Sequence, residues 1–380
     1  MGGWIDWNPA LEVALMGALL ALLPVAWVVL KGRRDGLQGW PAWQLALTVM
    51  TLFLTLDLVV FGAFTRLTDS GLGCPDWPGC YGHTSPVGAQ ALIQRQQVQL
   101  PTGPVTHGKA WVEMIHRYLA TAVGALITGL MLAAWWGRRQ PGSLSPWWPT
   151  WTFVWVCLQG AFGAFTVTLK LYPLVVTGHL LGGLLGVGLL TAQARVLATA
   201  SGMLSRVDQQ AANAWGRSSI RWWVWCLLVL TVLQMALGGW VSTNYAVLAC
   251  SEVPLCQGQW WPAMDFETGF RLLRPLGGDG QGEQITLAGL TAIHMVHRVG
   301  AAVVLPAMCW VGWLLWRAGW WRRAAGGLWA LAAWQLLTGL SNVVLGWPLA
   351  AALGHTLGAA LLVWWLVSLL VQPRSTLSDS

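Results

Sequence analysis

A chain of 380 residues that is 56% hydrophobic and only 9% charged falls outside the soluble globular class, in which about a quarter of residues are charged. Its net charge of +7 does not point to nucleic acid, because the basic residues lie in short clusters between apolar runs and not along one face. A polytopic membrane protein remains, with Lys and Arg in its loops setting its orientation.

Windows long enough to cross a bilayer pick out nine apolar segments, at about 10–30, 43–67, 110–136, 147–169, 173–195, 221–243, 286–316, 324–346 and 349–371. The first is an anchor and not a cleaved signal, since the residues before it carry Asp6 and Glu12 and no basic run. Basic residues follow alternate connections: Lys31, Arg33 and Arg34; Arg138 and Arg139; Arg206, Arg217 and Arg221; Arg317, Arg322 and Arg323; and Arg374. All of them share one side only if the N-terminus is outside and the C-terminus inside.

Segment two ends in Gly62-Ala63-Phe64-Thr65-Arg66-Leu67-Thr68-Asp69-Ser70-Gly71 and runs on to Cys74-Pro75-Asp76-Trp77-Pro78-Gly79-Cys80. Segment six ends in Gly238-Gly239-Trp240 and is followed by Cys250-Ser251-Glu252-Val253-Pro254-Leu255-Cys256. Both give Cys-x5-Cys with an internal Pro at the start of a long outer loop. In an oxidising outer compartment, Cys74 with Cys80 and Cys250 with Cys256 read as disulfides, either tying down a loop or redox-active. Cys157, Cys226 and Cys309 fall within segments and read as small apolar fillers.

Segment three opens with Glu113-Met114-Ile115-His116-Arg117 and segment seven with His294-Met295-Val296-His297-Arg298. Ionisable groups inside a bilayer are costly and need a partner or a task. Glu113 and His116, three residues apart, share a helix face. The following segments carry Gln159-Gly160 and Gln335-Leu336, and the last of each set opens with Gly178-His179 or Gly354-His355. The fold expected is therefore all-α and polytopic: homologous four-helix bundles at 43–197 and 221–371, related by a pseudo-two-fold axis along the membrane normal. Residues 1–42 form the extra N-terminal anchor helix and an inner loop, 198–220 a polar cytoplasmic linker with Arg206, Asp208 and Arg217, and 372–380 a cytoplasmic tail.

Four of the seven histidines hold matching positions, His116 with His297 and His179 with His355. Paired imidazoles across a helical bundle are the arrangement for axial ligation of a haem iron. A lone intramembrane His is more often a packing residue, and the duplication is what favours ligation here. Zinc or copper would draw in a third or fourth Cys, His or carboxylate. His83 and His107 belong to the outer loop and read as solvated. Arg66, Arg117 and Arg298 read equally as partners of haem propionates or as snorkelling side chains. Asp57, in mid-segment, reads as part of a proton path or as a neutral acid bonded inside the bundle.

Together, the stretch from Gly62 to Pro78, Glu113-x-x-His116-Arg117, Gly178-His179, His294-x-x-His297-Arg298 and Gly354-His355-Thr356 resemble the haem A synthase family over about 43–371. The resemblance implies oxidation of the C8 methyl of haem O to a formyl group, giving haem A for terminal oxidases. It also implies haem b as cofactor on His297 and His355, substrate haem iron at His116 and His179, and a catalytic Glu113. A haem O synthase and an electron donor are the implied partners, with membrane lipid, a homo-oligomer, no nucleic acid and a bacterial plasma membrane as the setting. Segment 10–30 exceeds the family's usual eight helices, and the cysteine pairs place the chain with the cysteine-bearing members. The alternative is a bis-His transmembrane b-type cytochrome that only relays electrons, which has no use for a carboxylate in one pocket alone. A haem transporter is disfavoured because a fixed axial pair at one face does not create alternating access.

Overall fold

A computed structural model of the protein describes residues 8–101, 103–201, 215, 218–273, 285–319 and 321–371. Arg206, Asp208, Arg217 and Arg374, most of the linker 198–220 and the tail 372–380 lie outside the described residues. Among the described residues all regular elements are helical, and nine helices are long and apolar enough to cross a membrane. They are α1 (Asn8–Arg34), α2 (Trp40–Leu67), α4 (His107–Trp136), α5 (Trp147–Thr168), α6 (Pro173–Ala200), α7 (Ile220–Thr243), α9 (Leu287–Arg317), α10 (Arg322–Val344) and α11 (Leu349–Leu370). The protein is thus an all-α, multi-pass membrane protein, and each spanning helix begins and ends within a few residues of its expected bounds.

Side chains in the helices deal with the lack of water. Along α2 the hydroxyls of Thr48, Thr51, Thr55 and Thr65 donate to carbonyls one turn back, at 2.7–3.0 Å, so an apolar helix tolerates them. Thr106 caps α4 by accepting from Lys109 N at 3.2 Å, and Thr286 caps α9 by accepting from Gly289 N at 3.0 Å. The short helices α3 (Gln90–Gln99) and α8 (Phe266–Gly269) were not expected from the sequence. The run Gln90-Ala91-Leu92-Ile93-Gln94-Arg95-Gln96-Gln97 has good helix formers but no apolar stripe. Its single anchor is Ile93, fully buried in a cluster with Cys74, Cys80, Ala110 and Met114.

The chain packs as two compact units, one of Met1–Leu171 with Leu185–Leu204 and one of Tyr172–Leu184 with Ser205–Ser380. In the first, α1 packs along α4, where Gly17 meets Thr121 so closely that a Cβ would stand 2.5 Å from the Thr121 side chain. Val13, from the start of α1, joins the Ile93 cluster over the disulfide. In the second, the opening turns of α6 pack with α7: Thr177 and Thr243 bring their hydroxyls to 3.4 Å, and Tyr172 OH donates to Leu272 O at 3.0 Å. Glycine seats the large indoles in both, Gly186 under Trp155 and Gly327 under Trp365, the close approach by which membrane helices pack. Cys157 and Cys309 are exposed on their helices and Cys226 is half-buried.

The Gly327 contact makes a direct prediction. A Cβ there would lie 2.1 Å from Trp365, so Gly327→Ala should cost about 1–3 kcal/mol by overpacking. A lowered thermal unfolding midpoint in detergent, recovered by adding Trp365→Phe, is the expected result.

Candidate functional site

Each unit contains a loop closed by a disulfide, Cys74–Cys80 or Cys250–Cys256. The loops share one conformation. Cys80 and His83 exchange backbone hydrogen bonds at 2.7 and 3.0 Å, and Cys256 and Gln259 do so at 2.9 and 3.0 Å. Tyr81-Gly82 and Gln257-Gly258 take the left-handed backbone at matching positions. An acid at the equivalent place in each loop, Asp76 or Glu252, accepts from the Gly82 or Gly258 amide.

Arginine holds both loops down. Nη1 of Arg117 lies among the carbonyl oxygens of Asp76 (2.8 Å), Pro78 (3.2 Å) and Gly79. Arg298 donates to Leu255 O at 3.0 Å, Glu252 O at 2.9 Å and Cys250 O at 3.4 Å. Both guanidinium groups are therefore bonded to the carbonyls of their own loops. The carbonyls of a tight loop that turns back over the helix end supply the acceptors, an arrangement that spacing along the helix alone did not reveal.

Glu113 belongs to the same network. Its Oε1 pairs with Nη2 of Arg117 and its Oε2 accepts from Cys74 N at 2.8 Å. The carboxylate is 3% exposed and Arg117 8%. A pair so buried is held by its hydrogen bonds, and removing one member would strand the other charge at a cost of about 3–5 kcal/mol. His294 replaces Glu113 in the second unit and is also buried. Arg298 thus clamps its loop without a carboxylate one turn earlier on the helix.

The four matched histidines sit near the starts of their helices. His116 of α4 stacks on Phe61 of α2, with centroids 6.2 Å apart and planes 9° from parallel, and Gly62 backs its ring. His297 of α9 is backed by Gly238 and His355 of α11 by Gly339; a Cβ at these glycines would come within 3.1 and 3.4 Å of the ring. His179 of α6 belongs to the second unit and His116 to the first. Two side chains that the sequence reading passed over attend the second pair. Gln234 Nε2 is 3.0 Å from His297 Nδ1 and donates to His297 O at 2.9 Å. Thr338 Oγ1 is 3.0 Å from His355 Nδ1, while Gln335 donates to His355 O at 3.1 Å. The signal that could have found them is their spacing: Gln234 lies one turn before Gly238, and Thr338 directly precedes Gly339. Asp57 lies on an exposed face of α2 and makes no hydrogen bond among the described residues, so it is not an acid bonded inside the bundle. Among the described residues no three His, Cys, Asp or Glu side chains gather as a zinc or copper site would require.

The clamp predicts a local effect. Replacing Arg298 with Lys keeps the charge but loses the fork that spans three carbonyls. Hydrogen exchange of the Cys256 and Gln259 amides should rise about tenfold, equivalent to about 1.4 kcal/mol of local opening, while the Cys80 and His83 amides are unchanged.

Residues 45–367 match the family model COX15-CtaA, described as cytochrome oxidase assembly protein. A protein of Shewanella oneidensis named heme A synthase is 34% identical over 323 residues, covering 84% of this chain and 93% of that relative. One of the same name from a Chelativorans species is 28% identical over 335 residues (83% and 86%), and another from Symbiobacterium thermophilum 27% over 303 (77% and 83%). The paired histidines and the clamped disulfide loops fall inside the matched span, as do α4, α5, α6, α7, α9 and α10 and most of α2 and α11, and α1 precedes it. By this match and by the 34% identity across nearly all of a relative, the chain belongs to the COX15-CtaA family of cytochrome oxidase assembly proteins.

Proposed function

We infer that this protein is a haem A synthase, a membrane enzyme that oxidises the C8 methyl group of haem O to a formyl group and so makes haem A. The observation that carries this reading is the asymmetry of two otherwise matched sites. Glu113 is buried one turn from His116, and His294 stands in its place beside His297. An electron relay needs two similar haem sites; an enzyme needs one that transfers electrons and one that does chemistry on its occupant.

His297 and His355 fit a resident haem b. Thr338 donates its hydroxyl proton to Trp334 O at 2.7 Å, so it has only a lone pair to offer Nδ1 of His355 at 3.0 Å. The ring is then the Nδ1–H tautomer, and its Nε2 lone pair faces away, as an iron ligand must. Haem bound there would supply one-electron transfer. His116 is the proposed axial ligand of the substrate haem in the first unit, with Phe61 offering a flat apolar ring beside it. Both oxygens of Glu113 are already bonded, so its role is that of a fixed negative charge, favouring positive character on the substrate as its methyl group is oxidised. Arg117 and the Cys74 amide keep that charge in place, which links the disulfide loop to the reaction. The substrate would come from a haem O synthase and the electrons would pass through a separate protein partner.

The reading places the protein in the bacterial plasma membrane with its N-terminus outside and C-terminus inside. In support, Lys31, Arg138, Arg317 and Arg322 lie over the indoles of Trp27, Trp135, Trp313 and Trp316 at 5.0–5.8 Å, the pairing of basic and aromatic side chains expected at the inner interface.

Two experiments test this function. Glu113→Gln keeps the shape and loses the charge. It should lower haem A formation about 100-fold with haem b content retained and haem O or its alcohol accumulating; haem A yields near wild type would refute the role. Replacing His297 or His355 with Ala should abolish the low-spin spectrum of the resident haem in purified protein, and an unchanged spectrum in both variants would remove the ligand assignment.

A further inference from the structure

One face of α2 carries Trp40, Gln44, Thr48, Thr51 and Thr55 at spacings of three and four residues and continues to Gly62, behind the ring of His116. Thr48 donates its only hydroxyl proton to Gln44 O at 2.7 Å. It can therefore only accept from Gln193 of α6, whose side-chain nitrogen is 2.9 Å away. The Gln193 amide is thereby fixed in orientation, and its oxygen faces away from Thr48. That oxygen is buried without a partner among the described residues, and so is the side-chain oxygen of Gln44. Gln44 is 6% exposed and Gln193 2%. The indole nitrogen of Trp40, one turn before Gln44 and lying over Gly137, is also buried and unpartnered among the described residues. All these groups belong to the first unit, and Gln44 lies about 27 Å along α2 from Gly62. The fold does not require polar side chains at these places. Gly62 with Gly238, Cys74 with Cys250 and His179 with His355 are separated by the same number of residues, and in that register Ile220 stands for Gln44, Val224 for Thr48 and Leu369 for Gln193. Val224 and Leu369 are buried.

We propose that Gln44 and Gln193 form a buried binding site for water in the first unit, at the end of α2 remote from His116. The donors and acceptors present select the ligand. Two amide oxygens call for a donor and the Trp40 N–H for an acceptor, so the molecule that suits them does both. A metal cation would be held by oxygens alone and by more of them, and an anion by donors alone. Buried water makes about three bonds to groups of this kind, and within a bilayer the lipid tails can supply none. A buried amide oxygen left unbonded is destabilising, and an apolar side chain of similar size removes that penalty. The second unit carries such side chains at the matching places, whereas the first keeps both glutamines. Under the proposed function the first unit is the one that receives the substrate. The site gives that half a foothold for water on the same face of α2 that leads to His116, where the other half is apolar.

The test uses the full-length purified protein in lipid nanodiscs. Thermal unfolding midpoints are measured for wild type, Gln44→Leu, Gln193→Leu and the double variant, and a density map of the wild type is recorded at a resolution that shows ordered water. Density within hydrogen-bonding distance of both Gln44 Oε1 and Gln193 Oε1 is expected. Water shared by two amides loses a bond when either is removed, so Gln44→Leu should lower the midpoint by about 2 °C. Gln193→Leu also loses the bond to Thr48, so the informative quantity is the coupling of the two substitutions: Gln44→Leu should lower the midpoint no further in the Gln193→Leu background. Oxygens that hold no water give the opposite sign, because deleting an unsatisfied buried acceptor raises the midpoint. A raised or unchanged midpoint in Gln44→Leu, additive effects of the two substitutions, or a map without density at the two oxygens would each overturn the proposal. None of these readouts depends on haem, so the outcome leaves the ligand and enzyme readings to their own experiments.

Discussion

A polar group in the bilayer has no bulk water to bond with, so every one placed there needs a partner within the protein. That constraint orders the features found here. The threonines of α2 fold their hydroxyls back onto their own helix, and Gln193 donates to Thr48 at 2.9 Å. The guanidinium groups of Arg117 and Arg298 cannot be left unpaired at a helix start, and a tight disulfide loop lays its carbonyls across each. The loop in turn could not leave those carbonyls turned inward without the arginine. Helix and loop therefore stabilise one another, and the disulfide shortens the chain that must be ordered to do so.

Within this common frame the two halves diverge at positions that do not disturb the packing. Glu113 and His294 are both buried, and Glu113 accepts from the Cys74 amide beyond its own helix. Only the first brings a negative charge. A duplicated scaffold has been made into two unlike sites by changing the groups around the imidazoles and leaving the imidazoles in place.

Much of this was legible in the sequence. The spanning helices announce themselves by length and hydropathy, and the repeat by its ordered Cys, His-Arg, Gln and Gly-His marks, because those signals are local. Side-chain direction is not local. Glu113 and His116 share a helix face by spacing, yet one turns to Arg117 and Cys74 and the other to Phe61 and Gly62. What separates them is the path of the loop after Ser70, which hydropathy does not encode. Helix α3 escaped for a related reason: its one buried residue, Ile93, has meaning only once the cluster around the disulfide exists. The partners of the imidazoles were missed because Gln and Thr in an apolar run look like tolerated polar residues until the ring beside them is seen.

Helix α1 bears on how the protein is made. Val13 closes the cluster that buries Cys74 and Cys80, and its helix lies along α4. During synthesis α1 is made before α4, its main partner, with α2 and the whole disulfide loop between them. Until α4 packs against α1 the cysteines lack this cover; once α1 docks, both are fully buried. The order of the chain thus makes oxidation an early event and sealing a late one, so a protein that has finished folding carries its first crosslink beyond the reach of the reagents that formed it.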